Sequence, residues 1–201
     1  MDPAQTGKNY DLLAARWRER HADSEYGVSQ LKRAVSFVKH RGTAIDIGCG
    51  SSGRMIHILR QEGFSTDGMD VSEEMLVHAR ELHPDSEFHL GDIASWKFPK
   101  HYDLICAWDS TFHLPLKLQE PALRNMAGGL KPGGILLFTF GGGDKPGEIS
   151  GSFDGQDFEY STLGEARYLA LVSELGLTCR HLEYDQGADG KHVYLIAQHT
   201  D

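Results

Sequence analysis

The stretch from Ala44 to Arg54, A-I-D-I-G-C-G-S-S-G-R, constrains this chain more than any other. An apolar run meets Gly48, Gly50 and Gly53 and then a helical pattern, which reads as strand, tight turn and helix. Glycines there answer three needs: a sharp backbone turn, a backbone able to approach a ligand, and a helix that sits close to its strand. The helix N-terminus then faces an anionic group. Such turns also occur as mere connections, so the glycines alone point to no more than a nucleotide-like ligand.

The rest of the chain repeats this alternation. Strands are expected over residues 43–47, 64–70, 87–90, 102–108 and 135–140, with helices over 52–61, 72–82 and 115–128. That order predicts a Rossmann-like, three-layer α/β/α sandwich around a mostly parallel sheet. Residues 7–40 read as helical around a break at 23–27. Tyr10, Leu12, Leu13 and Trp17 are apolar at helical spacing before the break, and Val28, Leu31, Val35 and Val38 after it. Lys131-Pro132-Gly133-Gly134 reads as a turn, and Asp154-Gly155 as the tip of a β-hairpin over 148–153 and 156–161. A helix over 162–175 stops at Gly176, and 178–184 with 192–197 form an antiparallel pair at the sheet edge around the loop 186–191. The length suits a single domain. Within it we distinguish an N-terminal helical cap (1–40), a cofactor-binding core (41–140), a hairpin insertion (141–161) and a C-terminal helix with its strand pair (162–201).

Composition excludes several classes. There are 29 acidic and 20 basic residues, a net charge of −9, and no basic stripe, which argues against a nucleic-acid partner. No apolar stretch is long enough to cross a bilayer. Residues 1–20 carry Lys8, Arg16, Arg18 and Arg20 without an apolar core, so no cleaved leader and a cytoplasmic location are expected. Cys49, Cys106 and Cys179 show no paired spacing and read as reduced thiols, the first two as small space-filling residues. The 11 histidines show neither H-x-x-x-H nor H-E-x-x-H, so no metal site is expected.

Asp70 ends the second expected strand, at the separation from the glycine turn that suits an acid accepting from ribose hydroxyls. A nicotinamide dinucleotide satisfies the turn and Asp70 equally well. Two further acids favour a different ligand. Asp46, inside the strand two residues before Gly48, suits an ammonium and a sulfonium and suits a pyrophosphate poorly. Asp92, in Gly91-Asp92-Ile93 after the third strand, stands where an adenine amino group can be bound.

Asp46-Ile47-Gly48-Cys49-Gly50, Asp70, Gly91-Asp92-Ile93, Tyr102-Asp103-Leu104-Ile105 and Leu130-Lys131-Pro132-Gly133-Gly134 together resemble, in order and spacing, the class I S-adenosylmethionine-dependent methyltransferases. The resemblance covers most of residues 44–140. It implies a seven-stranded sheet with an antiparallel last strand. It places Gly48 and Gly50 near the methionine moiety, Asp70 with Val71 at the ribose, and Asp92 with Ile93 at the adenine. Ala107 and Trp108 would complete the cofactor site at the end of the fourth strand. Asn9-Tyr10-Asp11, followed by Trp17, resembles the first helix of small-molecule methyltransferases, where an early aromatic closes over the cofactor. Tyr10 and Trp17 are the candidates, and packing of the first helix onto the body is the other reading of both.

Methyl transfer from a sulfonium is an in-line displacement, which asks chiefly for alignment in a dry pocket. The segment leaving the fourth strand, Ala107 to Leu114, lies where ligands bind in open α/β sheets, and Asp109 and His113 are its titratable groups. They are candidate acid–base or orienting residues, with helix capping and loop support as the plainer alternatives. The expected activity is methylation of a small molecule, with S-adenosylhomocysteine as product. A non-catalytic S-adenosylmethionine binder and a nicotinamide-dependent reductase stay open as alternatives. The hairpin reads as a substrate lid or an oligomer edge, leaving a homodimer open, and Phe158 and Tyr160 on it read as core packing.

Overall fold

A computed structural model describes residues 1–51, 53–187 and 190–200. Seven strands form one sheet: β1 (Thr43–Ile47), β2 (Ser65–Asp70), β3 (Glu87–Leu90), β4 (Tyr102–Ala107), β5 (Leu130–Gly141), β8 (Leu177–Tyr184) and β9 (His192–His199). Their order is β3-β2-β1-β4-β5-β9-β8, parallel except for β9, which pairs antiparallel with β5 and β8. The expected C-terminal pair is therefore present with only β8 at the edge. β9 lies inside the sheet. The strands β6 (Gly147–Phe153) and β7 (Gln156–Thr162) form a separate hairpin. Asp154 (φ 49°) and Gly155 (φ 81°) close it with left-handed backbone at both turn positions, as an Asp-Gly hairpin requires.

Side chains along the strands alternate between two cores, which is why the central strands read as continuous apolar runs. Ile45, Ile105, Phe138 and Leu195 pack against α6 (Leu116–Gly128) and α7 (Glu165–Glu174). Ala44, Leu104, Cys106 and Leu137 pack on the other face against α3 (Val28–Ser36) and α4 (Arg54–Gln61). Each large side chain fully buried there contributes about 1.5–3 kcal/mol relative to exposure.

Four expectations need correction. The helix expected from residue 7 divides at Leu12–Leu13 into α1 (Pro3–Asp11) and α2 (Ala14–His21). In one straight helix, residues 10 and 17 would be about 10.5 Å apart along the axis. The break instead brings the Tyr10 and Trp17 rings to 5.6 Å, edge to face. The turn at 131–134 lies inside β5 as an irregularity: between the pairs Tyr102–Leu130 and Leu104–Ile135 the longer strand bulges, with Gly133 at φ 73°. The strand expected over 102–108 ends at Ala107, and one 3₁₀ turn, Thr111–His113, follows it. The helix expected from 162 begins at Glu165, because Thr162 still belongs to β7. Ser52, the expected start of α4, and Ala188 and Asp189 in the loop before β9 lie outside the described residues.

Polar groups at the carboxyl edge of the sheet are tied down from α6. Gln119, 2% exposed, donates to the carbonyls of Thr111 and Leu114 at 2.7 and 3.1 Å and to Ser161 Oγ at 2.9 Å, and accepts from the Tyr168 hydroxyl at 2.9 Å. Asn125 donates to the carbonyls of Ile93 and Trp96 at 2.7 and 2.6 Å. Gln119→Leu keeps the volume but removes the four hydrogen bonds this side chain makes to buried partners. Urea unfolding is expected to show a loss of about 2–4 kcal/mol. A loss below about 0.5 kcal/mol would show that the hub does not support the fold.

Candidate functional site

Loops leaving the carboxyl ends of β1, β2, β3 and β4 meet α1, α2 and the hairpin around a cavity of about 380 Å³. Its floor is the glycine turn. Gly48 takes φ 72°, and any side chain there would collide with Ser110 Cβ. Gly50 (φ 60°) turns its bare face outward, with Trp17 Nε1 3.5 Å from where a Cβ would stand. The third glycine serves a different contact from the one expected. A Cβ on Gly53 would meet His83, beyond α5 (Glu73–Leu82), so closeness between the two helix ends, not between helix and strand, demands it.

Four carboxylates line the cavity: Asp46, Asp70, Asp92 and Asp109. Asp70 Oδ2 accepts from the Gly50 N–H and Oδ1 from the Ser72 N–H, both at 2.9 Å, which locks the second strand's end onto the glycine turn. Burial raises its pKa, opposed by those backbone donors. Asp46, 3% exposed, is pushed up to about 7 by burial, with Arg54 and the Cys106 thiol pulling the other way. Asp92 Oδ1 accepts from the Ala94 N–H at 2.9 Å. Asp109 follows β4 in a left-handed conformation (φ 53°), held by its N–H to Thr139 Oγ1 at 2.8 Å. Two guanidinium groups, Arg20 and Arg54, share the wall with them.

The cap is aromatic. Asn9 Nδ2 donates to the Asp157 carbonyl at 2.7 Å, and Asp11 Oδ1 accepts from Ser72 Oγ at 2.6 Å and the Glu74 N–H at 3.2 Å. Three consecutive residues thus fix α1 to the hairpin, turn Tyr10 inward, and tie α1 to the start of α5. Tyr10 lies against Phe158 (4.8 Å between ring centres) and shares a 2.8 Å hydrogen bond with His113 Nε2. Trp17 stacks on His21 at 4.1 Å and meets Phe153 of the hairpin at 5.7 Å. Burial, only partly offset by the Asp109 charge, pulls the His113 pKa down to about 4.

Of the residues expected from the sequence, Tyr10, Trp17, Asp46, Gly48, Gly50, Asp70, Val71, Asp92, Ile93, Trp108, Asp109 and His113 all line this one cavity. Ala107 does not. It is fully buried in the core beside α6, because alternation along β4 points Cys106 and Trp108 one way and Ala107 the other. The hairpin's Phe153, Phe158 and Tyr160 face the cavity; Phe158 is also buried, as core packing requires, whereas Tyr160 is only half-buried and lines the cavity instead. Sequence reasoning missed Arg54, Tyr26, Ser110 and, behind Asp109, His192. Only Arg54 left a signal, as a lone cation directly after the glycine turn.

Among the described residues, one group has metal-ligand geometry: Asp67, Glu87 and His89 bring ligand atoms within 4.8 Å of one another. Asp67 is already paired with Lys100 at 2.8 Å and with the Tyr102 hydroxyl at 2.5 Å, whereas His89 Nε2 is buried without a hydrogen-bond partner. No helix among the described residues is long and apolar enough to cross a membrane.

Residues 44–134 match a family model described as a methyltransferase domain. The chain is 26% identical over 130 residues to dTDP-3-amino-3,4,6-trideoxy-alpha-D-glucopyranose N,N-dimethyltransferase of Streptomyces venezuelae, covering 64% of this chain and 54% of that protein. It is 29% identical over 122 residues to phosphoethanolamine N-methyltransferase of Plasmodium falciparum, covering 58% and 46%. The chain thus spans about half the length of the curated relatives it matches. Among solved structures, the CcbJ methyltransferase of Streptomyces caelestis superposes with a TM-score of 0.74 at 15% identity, covering 100% of each chain. A S-adenosylmethionine-dependent methyltransferase from Clostridium acetobutylicum gives 0.74 at 15% identity over 96% of this chain and 99% of that one.

Asp46 supplies a direct test of the site's electrostatics. Its folded pKa lies above its unfolded value, so the folded state holds the proton longer and wild-type stability falls as pH rises from the ordinary carboxylate range to about 7. Asp46→Asn removes that loss. Chemical unfolding at about pH 5 and about pH 8 should show the variant gaining on the wild type as pH rises, on the order of 1 kcal/mol per unit across the interval. A pH-independent difference would show that Asp46 ionises normally.

Proposed function

We propose that this chain, whose residues 44–134 match a methyltransferase domain, is a class I S-adenosylmethionine-dependent methyltransferase that binds S-adenosylmethionine in this cavity and methylates a small molecule. The observation that carries the reading is the gathering of four carboxylates around one glycine turn at the carboxyl edge of the sheet. A ligand with a sulfonium and an ammonium against one carboxylate is net cationic, and such a wall suits it. A pyrophosphate over the same turn would face Asp46, which disfavours the nicotinamide reading.

Unpaired buried atoms support the fit. Trp108 Nε1, Ser110 Oγ and Arg54 Nε lie on the cavity wall without hydrogen-bond partners. Buried polar atoms of this kind are rare unless a ligand or water completes them. In this reading Gly48 and Gly50 hold the methionine moiety with Asp46 toward its ammonium, Asp70 and Val71 hold the ribose, and Asp92 and Ile93 the adenine. Arg54 offers its guanidinium to the methionine carboxylate. Tyr10 and Trp17 cover the cofactor and exclude water. When bound, the cofactor supplies an electrophilic methyl group on a sulfonium, with S-adenosylhomocysteine left after transfer.

His113 takes a narrower role than that of a base near neutrality. An imidazole with its pKa near 4 is neutral there and a weak proton acceptor, and its Nε2 is engaged by the Tyr10 hydroxyl. It orients Tyr10 and shapes the acceptor end of the cavity. The whole chain acts as one methyltransferase domain, with residues 1–40 as cap and the hairpin as a wall of the acceptor site. The acceptor is a metabolite-sized molecule, in keeping with the substrates named for the relatives.

Isothermal calorimetry with S-adenosylhomocysteine and with NADH tests the cofactor assignment. The first should bind and the second should not. Asp70→Asn should weaken S-adenosylhomocysteine binding by about tenfold or more, the effect of losing a hydrogen bond to a charged group. Unchanged affinity would remove Asp70 from the ribose, and preferential NADH binding would overturn the reading itself.

A further inference from the structure

Asp109 is backed by a charged chain that sequence reasoning did not anticipate. Its Oδ1 lies 2.7 Å from His192 Nε2 and accepts from Thr139 Oγ1 at 3.3 Å. His192 Nδ1 lies 2.5 Å from Asp185 Oδ1, and Asp185 Oδ2 accepts from Gln30 Nε2 at 3.0 Å. A neutral imidazole donates from one nitrogen only, so it would turn a lone pair toward one of the two carboxylates. Carboxylates at both nitrogens require both to carry protons. Burial alone would lower the His192 pKa, but the bonds to Asp109 and Asp185 outweigh it and hold it above its ordinary value.

Two carboxylates around one imidazolium leave one negative charge over. Asp185 is 3% exposed and enclosed, whereas the Asp109 side chain stands on the cavity wall with 32% of its surface open. Every hydrogen bond to that carboxylate falls on Oδ1, and Oδ2 has no partner among the described residues. Tyr10, Tyr26 and His113 line the same cavity and are close enough to feel its charge. The two cations on the wall are committed elsewhere. Arg20 pairs with Asp154 at 3.2 Å and lies over the Phe153 ring, and Arg54, assigned to the methionine carboxylate, makes no ion pair with Asp109 among the described residues.

We infer that Asp109 Oδ2, fixed by His192 and Asp185, is the subsite for a protonated amine, and that the methyl acceptor is therefore an amine. The assignment of that amine as acceptor rests on the methyl-transfer reading, while the subsite itself does not. A carboxylate with aromatic neighbours binds an alkylammonium through a charge-assisted hydrogen bond and cation–π contact. It also serves the next requirement. Before nitrogen can act as a nucleophile its N–H bond breaks, the electron pair stays on nitrogen, and the proton passes to Asp109 Oδ2. His192 and Asp185 are positioning residues: they keep Oδ1 occupied and Oδ2 turned to the cavity.

The test measures binding, with full-length protein saturated with S-adenosylhomocysteine and, in parallel, without it. The probes are a panel of primary, secondary and tertiary arylalkyl amines, headed by 2-phenylethylamine, each against its matched alcohol. At least one amine should bind about tenfold or more tighter than its alcohol. Asp109→Asn, which tolerates the left-handed backbone, should abolish that preference. His192→Gln should reduce it while leaving S-adenosylhomocysteine affinity intact, and nitrogen NMR of wild-type His192 should show both ring nitrogens protonated at neutral pH. Equal binding of amines and alcohols, a preference that survives in Asp109→Asn, or no amine binding at millimolar concentration would each overturn the subsite. Failure of S-adenosylhomocysteine alone to bind would instead overturn the cofactor reading, with the amine titration in its absence still judging Asp109.

Discussion

Where strands stop, their loops carry carbonyls and amides that no longer have a sheet partner, and in this protein those groups must be buried to form the cavity. That requirement organises the carboxyl edge of the sheet. Two amide side chains on α6 meet much of it, Gln119 for the turn after β4 and the hairpin's Ser161, and Asn125 for the segment after β3. Each is a neutral side chain with donors and an acceptor in one plane, able to satisfy several buried groups without introducing a charge. The positions of Asp92, Asp109 and His113 follow from where those loops are pinned.

The cavity these loops enclose carries more negative than positive charge, and the protein bears part of that cost in its own fold. Asp46 is buried deeply enough to hold a proton near neutrality, and Asp70 is raised against three backbone donors. Asp109 adds a left-handed backbone to the account. Such local strain is stable only because the surrounding structure over-determines it. A cationic ligand relieves the first two, so affinity and fold stability are linked through the same side chains. The aromatic cap completes the arrangement by excluding the water that would otherwise screen those charges.

Much of this was legible in the sequence, for reasons that can be stated residue by residue. β1 and β3 begin and end as expected because both are bounded by abrupt turn signals, Gly48 after β1 and Pro84-Asp85 before and Gly91 after β3. Asp154-Gly155 marks the hairpin because few other residues tolerate two successive left-handed positions. What escaped is polar and wholly or partly buried. Gln119, Asn125 and His192 follow no period and belong to no short motif, so nothing in one dimension distinguishes them from solvent-facing residues. The break between α1 and α2 was hidden because Tyr10, Leu13 and Trp17 keep a helical spacing that the chain then abandons to bring two rings together. Ala107 was misjudged by one position, which in a strand is the difference between the cavity and the core.

The placement of β9 has a consequence for how the molecule is made. It is the last of the nine strands in chain order, yet it fills an interior slot between β5 and β8 and pairs with seven consecutive residues of β5. During synthesis the glycine turn, Asp70, Asp92 and Asp109 all leave the ribosome before β9 does. Until then β5 presents an open edge carrying Leu136, Phe138 and Phe140, the kind of surface that recruits another chain. The same late strand brings His192 to Asp109. One strand, β9, thus both covers an apolar sheet edge and supports the acid at the cavity mouth.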